Sequence, residues 1–327
     1  MASTPLGVTF AGLAALGPAA VPRIAVLAED LGYQSFWTAE ANGTDAFTLL
    51  AAATVAAPSL DLGTGIVPMQ IRSPSLTAMS AATLQALAPN RTVNLGVGVS
   101  TPVVAGSWHG AQYGNRPIAQ MREYLTLLRE LLSGESVTFE GDFWSVRKFR
   151  LAVRLDDKRP QLVVAALNPQ MLRLAGELAD GVLLNYIPAN HVAASVDKVR
   201  AGGPAKILAY VHAGVCDFER AAPSARRDIF GYAMADGYAR MFSQAGFANE
   251  VDEIRDRYAA GDRAGAVAAI SNEMIQAIDF IGNAAEVHEF VRTYVDAGVD
   301  HPILMALPWG ENRLETAEAT MIAAIQS

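Results

Sequence analysis

The stretch LDLGTGIVPMQIRSPSLTAMSAATLQAL (Leu60–Leu87) holds one complete structural repeat. Leu60–Val67 is a short apolar run closed by Pro68 and reads as a strand, while Pro74–Leu87 is an Ala/Leu-rich stretch that opens on proline and reads as the helix behind it. A strand followed at once by a helix of this kind is the unit of a parallel sheet covered by helices.

The unit recurs on both sides. Towards the N-terminus, Leu6–Ala11 reads as a strand and Pro18–Leu31 as a helix with Ile24, Leu27, Ala28 and Leu31 on one face and Gly32 as its stop. Ser35–Ala39 is a second strand, and Asp45 caps a helix running to Ala57. Towards the C-terminus, strand Thr92–Gly98 precedes a long helix, Arg116–Leu132, with Tyr124, Leu127, Leu128 and Leu131 inward. Between Gly134 and Arg150 the apolar period falls to two around Glu140–Gly141, which predicts a β-hairpin insertion. Strand Gln161–Ala166 then leads to helix Pro169–Leu178, strand Gly181–Leu184 to a helix from Ala189, and strand Ile207–Val215 to a region richer in helix than one crossover needs, Ala221–Ile278. Helix Ala284–Ala297, strand Pro302–Ala306 and a helix from Leu314 complete the series. Six or seven such strands would give an open doubly wound sheet. Eight predict a (β/α)8 TIM barrel, α/β in class, with a hairpin insertion and a helical insertion after strand seven at about 221–280, all within one domain of 327 residues.

Composition narrows the function. With 51% hydrophobic and 18% charged residues the chain can bury a large core, and its longest apolar stretches, such as Leu49–Ala57, are too short to cross a bilayer. The first ten residues show no basic segment leading into an apolar one, so the expected location is the cytoplasm. A single cysteine, Cys216, permits no internal disulfide, and a net charge of −8 argues against general affinity for nucleic acid. His191, His212 and His288 share no ligand spacing, so no metal is expected.

A barrel of this kind carries its active site where the strands end. Ala39–Asn42, Gly65–Pro68, Gly98–Thr101, Ala165–Asn168 and Asn185–Tyr186 fall there, and most of their residues are small. Small residues let backbone N–H groups approach a ligand, and the Asn168–Pro169 step adds a helix N-terminus suited to an anion; they also serve tight strand-to-helix turns.

GTGIVP (Gly63–Pro68), NLGVGVS (Asn94–Ser100), AGSWHG (Ala105–Gly110) and VTFEGDFWSV (Val137–Val146) resemble the luciferase-like monooxygenase superfamily. LAGELADGVLLN (Leu174–Asn185) resembles its branch using the deazaflavin coenzyme F420. The resemblance implies a non-prolyl cis peptide joining Gly65 and Ile66 behind the ring, contacts to the ring or its side chain from Gly98, Val99 and Ser100, and binding of the phosphate-bearing tail by Ala165, Ala166, Leu167 and Asn168. Asn185 and Tyr186 match a further contact, and Glu40 an acid at the ring's hydroxylated edge; the other reading of Glu40 is a surface carboxylate capping the next helix. Ala41 and Thr101 stand where the family's sugar-phosphate dehydrogenases carry a histidine and an acid, which argues against a sugar phosphate. His109 then remains for proton transfer, or else packs a rim loop. The expectation is hydride transfer between F420 and a small organic substrate, by a homodimer joined through Ala-rich helices beside strands two and three. An FMN-dependent monooxygenase and a non-catalytic cofactor-binding protein are the alternatives.

Overall fold

The computed structural model describes residues 5–155 and 157–326. It has the predicted fold class, a (β/α)8 barrel, and its chain divides into two compact units.

The first unit runs from Thr9 to Leu183 and takes in 198–206. Its strands, after β1 (Gly7–Thr9), are β2 (Ser35–Thr38), β3 (Asp61–Thr64), β4 (Val67–Pro68), β5 (Val93–Gly98), the hairpin β6 (Val137–Glu140) and β7 (Ser145–Phe149), β8 (Gln161–Ala165) and β9 (Gly181–Leu184). β2, β3, β5, β8 and β9 are successive parallel neighbours. The helices between them are α1 (Val21–Asp30), α2 (Ala46–Ala56), α3 (Pro74–Leu87), α4 (Pro117–Leu131) and α5 (Pro169–Leu178).

Local chemistry sets these boundaries. Asp45 accepts a hydrogen bond from Thr48 N and starts α2, Ser73 accepts from Leu76 N ahead of Pro74 in α3, and Asn168 accepts from Met171 N ahead of Pro169 in α5. Trp37 of β2 is fully buried, its indole N–H on Ser35 Oγ, and it fits only because Gly63 of β3 has no side chain: a Cβ there would lie 2.2 Å from the indole. All four residues expected on the inner face of α4 are buried. On α1, Ile24 and Ala28 are buried as expected, with Val21 and Ala25 beside them, whereas Leu27 and Leu31 are half-buried.

The second unit comprises the chain up to Val8, Leu184–Asp197 and everything from Ile207. Here β10 (Lys206–Val215) pairs through its first part with β12 (His301–Ala306), which pairs in turn with β1. Its last four residues pair with β11 (Asp279–Gly282). Around them lie α6 (Ala189–Arg200), the inserted helices α7 (Phe218–Ala233), α8 (Asp236–Phe242), α9 (Ala248–Ala259), α10 (Arg263–Ala268) and α11 (Asn272–Ile278), then α12 (Ala284–Asp296) and α13 (Arg313–Ile325). β11 has no counterpart in the sequence reading, and strand three, expected to be continuous to Val67, breaks into β3 and β4 at the cis peptide Gly65–Ile66.

Candidate active site

In the first unit, Ile66 ties several of the expected residues together. Its carbonyl accepts from Glu40 N at 3.0 Å, and Gly65 N donates to Thr38 O at 2.7 Å, so the turn after β3 is stitched to the end of β2. On the other side Gly98 admits the Ile66 side chain: a Cβ at position 98 would stand 2.9 Å from Ile66 Cγ1 and 3.3 Å from the Ala165 Cβ. Glu40, Gly65, Ile66, Gly98 and Ala165 are thus brought together at the ends of four neighbouring strands. Next to them Ser100 N donates to Gln70 Oε1 at 3.4 Å, and Ala166 N to Leu183 O at 3.3 Å. Among the described residues, the N–H groups of Leu167 and Asn168 meet no acceptor; they stand at the N-terminus of α5, where the helix end is positive.

Glu40 is itself held. Arg72 donates Nε to its Oε2 at 2.8 Å and Nη2 to its Oε1 at 2.7 Å, and Ala46 N donates to the same Oε1 at 3.1 Å. The pair is nearly dry, with 8% of the Glu40 side chain and 13% of Arg72 exposed. Hydrogen bonding to Glu40 is the largest influence on Arg72 and raises its pKa. Burial opposes ionisation of Asp45, but hydrogen bonds from Thr48 and the charge of Arg72 prevail and hold its carboxyl below the ordinary value. Arg72 also contacts the Phe47 ring, 4.9 Å from its centroid, while its carbonyl accepts from the buried Tyr124 hydroxyl. Glu40 therefore begins α2 through Ala46 N, as a capping role requires, and stands at the strand ends, as a ligand contact requires.

His109 directly follows the Val103–Trp108 helical turn, is exposed, and places Nε2 2.5 Å from the carbonyl of Ala41. Trp108 beside it is 54% exposed. The hairpin aromatics are engaged in packing, Trp144 standing edge-on to Tyr124 and stacking at an angle on Phe143. Glu123 fastens the hairpin turn by accepting from the N–H groups of Asp142, Phe143 and Trp144.

Asn185 and Tyr186 lie in the second unit, within a buried polar cluster. The register of β10 and β11 sets His212 beside Asp279, with Nδ1 3.0 Å from Asp279 Oδ1. His212 Nε2 lies 2.9 Å from Asn185 Oδ1, which also accepts from Tyr186 N at 3.0 Å. The Tyr186 hydroxyl donates to Asp228 Oδ2 of α7 at 2.7 Å, and its ring packs against Tyr232 and Tyr238. Burial pushes Asp279 up to about 8 and His212 down to about 4. Burial first, and the adjacent Asp279 carboxyl second, raise Asp228 to about 6. His212, Asp228 and Asp279 offer one donor atom each within 4.8 Å of one another. Histidine spacing alone cannot show such a convergence, because the partners of His212 are carboxylates from α7 and β11.

The family pattern described as luciferase-like monooxygenase matches residues 6–301. The chain belongs to the luciferase-like monooxygenase family. Among its relatives, a putative coenzyme F420-dependent oxidoreductase of Mycobacterium tuberculosis is 26% identical over 316 residues, covering 87% of this chain and 90% of that one. A 5,10-methylenetetrahydromethanopterin reductase of Archaeoglobus fulgidus is 24% identical over 310 residues, covering 89% and 90%. The solved structure of a coenzyme F420-dependent tetrahydromethanopterin reductase from Methanopyrus kandleri superposes with a TM-score of 0.82 at 21% identity, covering 99% of this chain and 98% of that one, and shows the same fold.

For this luciferase-like family member, sequence reasoning missed Arg72, Asp228 and Asp279. Arg72 stands in QIRSP just after β4, and its charge at a strand end was the available signal. Asp228 and Asp279 lie in and beside the inserted helices, where the resemblance fades and no motif points to them.

Proposed function

We infer that this protein is an F420-dependent oxidoreductase that moves hydride between the deazaflavin and a small organic substrate. The observation that carries the reading is the assembly around Ile66, which gathers Glu40, Gly98 and Ala165 at the strand ends of the first unit. The similarity to relatives named as F420-dependent supports it.

The residues fit the cofactor chemically. A deazaflavin presents a flat ring with a hydroxylated edge and a tail bearing phosphate and carboxylates. Glu40, aimed by Arg72, is an acceptor for the ring edge. Gly98, Val99 and Ser100 are assigned to the ring or its side chain. The N–H groups of Leu167 and Asn168, at the positive end of α5, suit the phosphate. Gly65, Ile66, Ala165 and Ala166 supply the backbone around these contacts, and Asn185 and Tyr186 are assigned a further contact. When bound, the cofactor supplies the hydride chemistry; the protein orients it and excludes competing reactions. His109 is assigned to proton transfer, its Nε2 already at hydrogen-bonding distance from the loop after β2.

The protein is assigned as a cytoplasmic homodimer. No helix among the described residues is long and apolar enough to cross a membrane. The Cys216 thiol, pushed by burial up to about 11, stays protonated and unreactive. On α3, Leu76, Met79 and Leu87 expose apolar side chains around one open groove, and Val55 of α2 is exposed as well, as a subunit contact would require.

Titration of purified protein with oxidised F420, and separately with FMN, tests the assignment through cofactor fluorescence and absorbance. Micromolar or tighter F420 binding with weak FMN binding is expected. Preference for FMN would overturn it in favour of a monooxygenase.

A further inference from the structure

The buried cluster of the second unit contains a proton whose position follows from geometry. Asn185 Oδ1 accepts from Tyr186 N, a backbone donor that cannot reverse its role. The atom facing the imidazole is therefore the carboxamide oxygen, and His212 Nε2 must carry the hydrogen. In a neutral imidazole that leaves Nδ1 as an acceptor, directed at Asp279 Oδ1 3.0 Å away. Two acceptors at that distance need a proton between them. With Nδ1 bare, the proton belongs to the Asp279 carboxyl, which is fully buried and also lies against the Asp228 carboxyl. An imidazolium facing a carboxylate is the competing arrangement. Burial disfavours both of its charges, holding His212 neutral and Asp279 protonated at pH 7.

The proton matters because of what the chain does next to it. Tyr186 has φ 53°, a left-handed conformation that a bulky side chain rarely adopts unaided. Four contacts hold it there: Asn185 Oδ1 on its N–H, His212 on the same oxygen, Asp228 on its hydroxyl, and Tyr294 of α12 donating to the Ile187 carbonyl at 2.7 Å. Removing the donor on Asp279 frees the His212 ring to change tautomer, and the Asn185 carboxamide loses its fixed orientation. The titratable groups facing the pair are Asp228 and Tyr232 of α7, Tyr186 of the loop after β9, and Tyr294.

We propose that Asp279 is a positioning residue: its carboxylic-acid proton, donated to His212 Nδ1, sets the imidazole tautomer that orients Asn185 and fixes the turn at Tyr186, the pair assigned a cofactor contact. The proposal rests on the assignment of Asn185 and Tyr186 as cofactor contacts, and it deepens that reading by naming what holds them.

The experiment combines 15N spectra of histidine-labelled protein, without cofactor, with F420 titrations of the wild type, Asp279→Asn and Asp279→Ala. At pH 7 the wild-type His212 resonances should show Nε2 protonated and Nδ1 bare. Asp279→Asn, whose amide can still donate to Nδ1, should keep that tautomer and nearly wild-type F420 affinity. Asp279→Ala should lose the single tautomer and bind F420 about tenfold more weakly. A protonated Nδ1 in the wild type would overturn the proposal. So would a divalent metal copurifying at one equivalent and lost in Asp279→Ala, or unchanged F420 affinity in Asp279→Ala. Failure of the wild type itself to bind F420 would overturn the functional reading and the cofactor role drawn from it, while the spectra would still decide where the proton lies.

Discussion

Arg72 grips the carboxylate of Glu40 with two hydrogen bonds, Nε to Oε2 at 2.8 Å and Nη2 to Oε1 at 2.7 Å, in a site where neither side chain is more than 13% exposed. A guanidinium matches a carboxylate with two parallel donors, which a lysine ammonium cannot do. The grip selects one orientation of Glu40 at the end of β2, while the Ala46 N–H on Oε1 ties the same carboxylate to the start of α2. Arg72→Lys should therefore fold yet lose about tenfold in F420 affinity, because the charge is kept and the orientation is not. Arg72→Ala should also lower stability, by about 3 kcal/mol, since it leaves a nearly buried carboxylate without its counter-charge. Thermal unfolding and cofactor titration of both variants check this. An Arg72→Lys protein with wild-type affinity would show that Glu40 is only a helix cap.

Gly96 and Gly98 alternate with Val97 in β5 but should answer to alanine differently. A Cβ at 98 would meet the Ile66 side chain at 2.9 Å, which a branched side chain can relieve by shifting. A Cβ at 96 would fall 1.9 Å from the backbone oxygen of Thr64, which cannot move without breaking the Thr64–Gly96 hydrogen bonds. Gly98→Ala should cost about 1–3 kcal/mol and weaken F420 binding by displacing Ile66. Gly96→Ala should cost more and reduce soluble yield. Denaturant midpoints separate the two, and equal losses at both positions would remove the special role given to Ile66.

Much of the fold around this candidate site was legible in the sequence because its parts are local. Asp45, Ser73 and Asn168 sit one residue ahead of their helices, and each makes the cap its position implies. α3, α5 and β9 have the expected boundaries because proline opens both helices and a glycine opens the strand. What failed depends on distant partners. DFIG (Asp279–Gly282) is too short to show a strand period and becomes β11 only by pairing with β10. The turn Val103–Trp108 contains Gly106 and two valines, weak helix formers, and its local pattern therefore did not mark a helical turn. Arg72 meets Glu40 across 32 residues and His212 meets Asp279 across 67, pairings no local pattern encodes.

Exposed apolar residues on α2 and α3 give a prediction about assembly. Val55 is 84% exposed, Leu87 55% and Met79 49%, on helices that otherwise pack onto the strands. Sedimentation should find the wild type dimeric, and Val55→Glu combined with Met79→Glu should give a folded monomer. The substituted positions are exposed, so the far-ultraviolet circular dichroism should not change. A monomeric wild type would rule out this assembly.

The buried cluster should also make stability fall with pH in a window where few other groups titrate. The Asp279 carboxyl rises from 3.8 when unfolded to about 8 when folded, so between those values the native state holds a proton that the unfolded chain has released. The stabilisation linked to that proton is complete below pH 4 and is lost as pH climbs through 8. Asp228 acts in the same direction, but only between 3.8 and about 6. His212 acts oppositely: its value drops from 6.5 to about 4, so its contribution is present above 6.5 and lost as pH falls through 4. Below 6.5 these influences partly cancel, and above it Asp279 dominates the cluster. From pH 6.5 to 8 the wild type should lose about 2 kcal/mol through this group, at 1.36 kcal/mol per pH unit. Asp279→Asn has no proton to lose there, and its unfolding temperature should stay nearly flat over the same range. Parallel slopes for the two proteins would mean that the pair has already released this proton at pH 6.5, leaving Asp279 ionised beside a neutral imidazole.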